Sequence, residues 1–271
     1  MAKGLPSYEN PPIIEVVCGV QFETIYDLHA PLTGKFWAEI EEEFPTVQMQ
    51  PTLEPVRENL SGEGSPQTMT LALSPLPPLP RIWFVSSNET ELVQLQPDRF
   101  LFNWRKQDAA PVYPRFDAVF GRFMQTFETF EGFLDKNKIV RPKINQLELT
   151  YINGIDREEV NGQIKSVHSI LPDLAWRDSA SRLLREPEHM ALNSSFLLPD
   201  SLGRLHLTAA SALNVKTGLP ALRLELTARG IDASGDSSLE EWFAIAHEWI
   251  VKAFADVTDE ELQTGPWNKH E

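Results

Sequence analysis

Residues 11–23, PPIIEVVCGVQFE, place Ile14, Val16, Cys18, Val20 and Phe22 on one side of an extended chain and Glu15, Val17, Gln21 and Glu23 on the other. That period of two is the mark of a half-buried strand. It returns in INQLELTYING, where Leu147, Leu149 and Tyr151 alternate with Gln146, Glu148 and Thr150. In LRLELTAR, Leu222, Leu224 and Leu226 alternate with Arg223, Glu225 and Thr227. One apolar and one polar face predict antiparallel pairing, because parallel strands covered on both sides read as continuous apolar runs.

Three stretches switch to the helical period. LTGKFWAEIEEEF carries Phe36, Trp37, Ile40 and Phe44 on one stripe, with Thr33 as the expected cap and Pro45 as the stop. YPRFDAVFGRFMQTFETFEGFL repeats Phe116, Phe120, Phe123, Phe127, Phe130 and Leu134 at helical spacing. SSLEEWFAIAHEWIVKAFA opens with the capping pair Ser238 and Glu241 and turns Leu239, Trp242, Phe243, Ala246, Trp249, Ile250 and Phe254 inward.

In chain order, residues 11–155 read strand, helix, hairpin (RIWFVSS, a turn near Asn88, ELVQLQ and RFLFNWR), helix, strand. That is a ferredoxin-like β-α-β-β-α-β arrangement. Strands are expected again near 192–198, 203–213 and 220–230, before the last helix. The fold class is therefore α+β: an antiparallel sheet with aromatic-rich helices on one face. The expected division is a ferredoxin-like half over 1–155 and a second α+β half over 156–271, with one continuous sheet as the alternative. Residues 45–80 hold 8 of the 21 prolines and predict a long loop with one strand, TMTLAL, inside it.

Composition narrows the classes. With 271 residues, 42% of them apolar, the chain can bury a substantial core. No run approaches the roughly 20 apolar residues of a membrane helix, and no leader-like segment opens the sequence, so a cytoplasmic location is expected. Cys18 is the only cysteine, which removes any internal disulfide and any cysteine-based zinc cluster. The net charge is −15, and residues 231–271 contain 10 Asp and Glu against Lys252 and Lys269. Such a surface repels polyphosphate, so no nucleic-acid partner is expected. A protein partner and a possible homo-oligomer are.

Candidate chemistry is sparse. HEWIV has Val251 where a zinc peptidase needs its second histidine, so His247 reads as a helix residue flanking the core. SGEGSP lacks the lysine of a phosphate loop. Cys18 falls on the apolar side and is expected to be an inert core thiol. No cofactor and no metal are expected. One constellation remains: Glu15, Gln146, Glu148, His206, Arg223, Glu225 and Arg229 share a polar sheet face if the strands pair as read. The preferred reading is a solvated face of cross-strand pairs. The alternative is a cleft floor with Glu148, His206 and Glu225 as catalytic groups and Glu15, Arg223 and Arg229 as ligand-binding groups. Trp242 and Trp249, seven residues apart on the last helix, are the candidate interface.

Three stretches, PPIIEVVCGVQFE, LELTYINGID and AHEWIVKAFADVTDEEL, together resemble a sporadically distributed, uncharacterised bacterial protein family, with Tyr151, Ile152 and Asn153 its most specific part. In that family the residue before this Tyr-Ile-Asn is often Arg; here it is Thr150. The resemblance implies a soluble bacterial protein and carries no catalytic residues with it. Its patchy distribution is similar to that of defence and toxin-antitoxin loci. The expected function is a non-catalytic, acidic interaction module, an accessory or antitoxin-like component of such a locus. The alternative is a hydrolase or transferase with its site on the polar sheet face.

Overall fold

The computed structural model describes residues 4–54, 58, 80–107, 112–157, 159–160, 163–164, 166–176, 183–184, 187, 189–231 and 238–270. The TMTLAL segment, 68–73, lies outside the described residues. In chain order come β1 (Ser7–Tyr8), β2 (Ile13–Phe22), α1 (Ala30–Ile40), β3 (Thr46–Gln50), β4 (Arg81–Val85), β5 (Glu91–Gln96), β6 (Arg99–Arg105), α2 (Phe116–Lys136) and β7 (Ile144–Asp156). Then follow β8 (Glu159–Val160), β9 (Gln163–Ile164), β10 (Ala191–Leu197), β11 (Arg204–Leu213), β12 (Pro220–Gly230), α3 (Leu239–Val257), α4 (Glu260–Thr264) and β13 (Lys269–His270).

Nine strands form one sheet in the order β10-β11-β12-β7-β2-β6-β5-β4-β3, and every pairing in it is antiparallel. Strands from both halves of the chain meet where β12 pairs with β7. Alternation decides the faces. Val16, Cys18, Val20, Phe100, Phe102, Leu147, Leu149, Leu222, Leu224 and Leu226 all join the core with the helices. The opposite face carries Glu15, Asn103, Gln146, Glu148, His206, Arg223, Glu225 and Arg229. The result is an α+β protein with its aromatic helices on one side.

Local signals explain most of this. Ser238 and Glu241 form a reciprocal capping box that fixes the start of α3. The phenylalanines of α2 pack on Phe22 and Phe100 from the sheet and on Phe36 from α1, with ring centroids 5.3–6.1 Å apart across Phe22–Phe130, Phe36–Phe130 and Phe100–Phe130. At the start of β11, Gly203 has φ 143, and a Cβ there would lie 2.0 Å from the Arg229 carbonyl oxygen. Only glycine permits that approach of β11 to β12.

Some expectations shift: Thr46–Gln50 is a strand within the expected loop, and α1 ends at Ile40, short of Pro45. Thr33 does not cap α1: proline near its first turn starts the helix earlier, at Ala30, and the Thr33 hydroxyl bonds the His29 carbonyl from inside it at 3.1 Å. In β2 a register irregularity between Ile13 and Glu15 puts Ile13 on the helix side and leaves Ile14 exposed.

Candidate functional site

The polar face brings the predicted residues together and pairs them with one another. Arg229 Nε donates to Glu148 Oε2 at 2.5 Å across the β12–β7 ladder, and Arg223 Nη1 lies 2.5 Å from Glu225 Oε2. Asn103 Nδ2 donates to Glu15 at 2.6 Å. Glu15 is thus half-buried and not simply wet; burial raises its pKa, while Asn103, Arg105 and Arg223 oppose the shift. The chain after β3 crosses this face: the Leu53 amide donates to Gln96, Arg99 donates to the Glu54 carbonyl, and the Glu58 amide donates to Gln146. The Glu58 carboxylate then meets His206 Nε2 at 2.6 Å and Arg204 Nη1 at 3.0 Å. Burial would raise the Glu58 pKa, but hydrogen bonds from His206 and Arg204 outweigh it and hold the group below the usual range. The predicted carboxylates and cations are thus engaged with one another and with Glu58, while Arg81 and Arg105, both over the Trp83 ring, each keep a buried Nε without a partner.

The candidate interface tryptophans divide. Trp242 is 1% exposed, and its indole N–H donates to the Leu202 carbonyl at 3.0 Å. It is a core residue, turned away from any partner. Trp249 is half-buried against the same core.

The cavity lies on the other side of the sheet, in the seam between the start of α2 and the middle of α3. It measures about 380 Å³. That size suits a metabolite. Its floor is Ile13, Tyr151, Asn153 and Leu226, its walls are Tyr113, Phe116, Ala244, His247, Ile250, Val251 and Phe254, the exposed Arg115 and Asp117 stand at its rim, and residues 5–8 with Pro11 close over it. Sequence dictates this placement. Asn153 occupies the inward register of β7, after Leu147, Leu149 and Tyr151, and donates to the Leu224 carbonyl at 3.2 Å. His247 falls on the inward stripe of α3 between Phe243 and Ile250. The entry to α2 is strained: Arg115 has φ 78 and ψ 160. Such a conformation costs a non-glycine residue about 1–3 kcal/mol and is found most often at functional sites. Arg115 Nη1 donates to the Tyr8 carbonyl at 2.8 Å, tying this turn to the segment over the cavity.

Inside, the polar groups are few and uncharged. The Tyr113 and Tyr151 hydroxyls are 2.9 Å apart and share one hydrogen bond. Burial drives the Tyr151 pKa well above its ordinary value and raises that of Tyr113 as well, although the bond from Tyr151 opposes the latter shift. The His247 ring stacks on Phe116 with centroids 4.1 Å apart and planes at 5°. Burial lowers its pKa to about 4, against the pull of Asp117 and Glu248. The imidazole is therefore neutral near pH 7, with one donor and one acceptor nitrogen. No described residue hydrogen-bonds to that ring. The ring is only partly buried and neither of its nitrogens is a buried atom left without a partner, so its polar edge is open to a molecule that enters the cavity from solvent.

Sequence reading passed over Tyr113, Arg115 and Asp117, took His247 as a helix residue flanking the core and Tyr151 as an inward strand position, and valued Asn153 only as a mark of resemblance. Two signals were present: a polar Asn at an inward strand position and a His within an apolar helical stripe. A polar residue in a core register is the informative exception to burial patterning. Among the described residues there is no cluster of three or more His, Cys, Asp or Glu placed to hold a metal ion, and no helix is long and apolar enough to cross a membrane. No protein-family model and no curated protein matches the chain.

Proposed function

We propose that the chain is a non-catalytic binding module that works by enclosing a small ligand in the seam between α2 and α3. The single observation that carries this reading is the cavity itself, about 380 Å³, lined by a stacked, unbonded His247 and the Tyr113–Tyr151 pair. The electrostatics support binding over catalysis. A general base works best with a pKa near the operating pH. Here burial pushes His247 down to about 4 and both tyrosines up, away from that range. Cys18 is fully buried and its thiol is shifted upward by burial, so it supplies no nucleophile. The catalytic alternative on the polar face has less support, since its carboxylates are engaged with arginines and a histidine.

Two finer readings accompany this one. We read β2, α1, β5, β6, α2 and β7 as a ferredoxin-like unit carrying β3 and β4 as an addition at the edge of the sheet. The order β7-β2-β6-β5 supports it. Membership of the sporadically distributed bacterial family, and an accessory role in a defence or stress locus, rest on the resemblance of the three sequence stretches alone.

The test is a metabolite library screened by thermal shift against the wild type and Ala244→Trp, which fills the cavity from an exposed helix position. Compounds that raise the Tm of the wild type and leave the variant unmoved support the reading. A screen in which no compound separates the two proteins contradicts it.

A further inference from the structure

Given a ligand site in this seam, its chemistry can be narrowed. We propose that the cavity selects an uncharged molecule with a flat aromatic ring bearing a hydroxyl group, the ring lying beside the Phe116–His247 stack and the hydroxyl bonding to the Tyr113–Tyr151 pair or to His247.

Three observations carry this. First, the lining is aromatic: Phe116 is stacked on both Phe120 and His247, with centroids 5.4 and 4.1 Å away, and His247 and Tyr151, 6.0 Å apart and tilted, add the ring surface that a ligand meets. A flat ring gains dispersion and quadrupole contacts there that a puckered ring does not. Second, the hydrogen-bonding capacity is unspent and two-sided. In the tyrosine pair one hydroxyl donates to the other, at 2.9 Å, so the acceptor retains its own proton for a ligand oxygen. The neutral imidazole offers a donor on one nitrogen and an acceptor on the other. A hydroxyl, which both gives and takes, matches such a set. Third, the charged side chains that line the cavity offer no net counter-charge. Arg115 and Asp117, opposite in sign, are both exposed at the rim, and the Arg115 guanidinium already bonds the Tyr8 carbonyl. An ion entering an apolar site without a counter-charge loses its hydration unrepaid. The chain's net charge of −15 further disfavours anions.

This inference rests on the binding-module reading, and the experiment separates the two. The probes are 2-naphthol, naphthalene, decahydro-2-naphthol, 2-naphthoate and benzyltrimethylammonium, titrated at pH 7 by calorimetry. For the wild type, 2-naphthol is expected to bind about tenfold more tightly than each of the others, the gain of one or two well-made hydrogen bonds. Tyr113→Phe with Tyr151→Phe is expected to remove that advantage and leave naphthalene affinity unchanged, with circular dichroism confirming the fold. Should the pair of substitutions unfold the chain, His247→Leu takes its place, with a loss of 2-naphthol affinity expected. Tightest binding of the carboxylate would show an anion site, and of benzyltrimethylammonium an aromatic cage for cations; either overturns the proposal. Equal binding of 2-naphthol and decahydro-2-naphthol, or no binding by any probe, overturns it too. In those cases the site itself still stands or falls on the Ala244→Trp comparison.

Discussion

Replacing His247 by Phe should flatten the acid side of the protein's stability curve. In the folded chain burial lowers the His247 pKa to about 4 from the ordinary 6.5. A depressed folded value means that the unfolded state binds the proton first as pH falls. Stability is therefore unaffected above the unfolded pKa and declines as pH drops from about 6.5 toward 4. Linkage gives a loss of about 2 kcal/mol between pH 7 and pH 5 for a shift of this size. His247 is only partly buried, and water at its exposed edge reduces the figure to about 1–2 kcal/mol. Asp117 and Glu248 act on the ring in the opposite sense and are already contained in the shift. Glu15, raised by burial, contributes with the opposite sign, and Glu58, held low, loses its pairing only below this window; both are common to the two proteins and cancel in the difference. The assay is urea denaturation of the wild type and His247→Phe at about pH 7 and pH 5, with His247→Leu as a second apolar replacement. Either variant should lose about 1–2 kcal/mol less than the wild type between the two pH values. Equal losses in all three would show a hydrated ring, and the neutral cavity would have to be abandoned.

Trp242→Ala should cost about 3–5 kcal/mol through the emptied core site and leave the oligomeric state, followed by light scattering, unchanged. A change in assembly with little loss of stability would restore Trp242 as an interface residue. Glu58→Gln should destabilise by about 1 kcal/mol and weaken the acid-induced loss below about pH 4.5, because the wild-type carboxylate, held low by His206 and Arg204, loses those pairings only when protonated. An unaltered curve from denaturation at low pH would show that this crossing contributes nothing. Cys18, fully buried on the core face of β2, should react with a thiol reagent only at the rate of global unfolding; rapid modification of the native protein would contradict its placement.

The strands and helices with clean periods were legible. The alternation of LRLELTAR and its neighbours yields β11 and β12 almost to the residue, and the phenylalanine spacing yields α2. Where local chemistry competes with period, sequence reading slips. Proline near the start of α1 moved its cap from Thr33 to His29, and an irregularity after Ile13 reversed the sides of Ile13 and Ile14. Thr46–Gln50 was read as loop from the prolines of residues 45–80, although Val47 and Met49 alternate with Thr46, Gln48 and Gln50; at this edge of the sheet neither face of the strand is buried. The polar face was assembled correctly from register, yet its Glu58 bridge spans 148 residues to His206 and has no local signature. The cavity depends on packing α2 against α3, which no single element encodes. Its two clues, Asn153 and His247, were polar residues in apolar registers.

A ligand site that faces the helices, and not the polar side of the sheet, is open to a direct test, because the side-chain signals of the histidines report on both faces at once. His247 borders the cavity and His206 sits on the opposite face with Glu58. In a titration of the native protein with 2-naphthol followed by ring-proton NMR, the His247 signals should shift saturably while those of His206 stay still. Movement of His206 with His247 unperturbed would place binding on the polar face and contradict a site on the helix side.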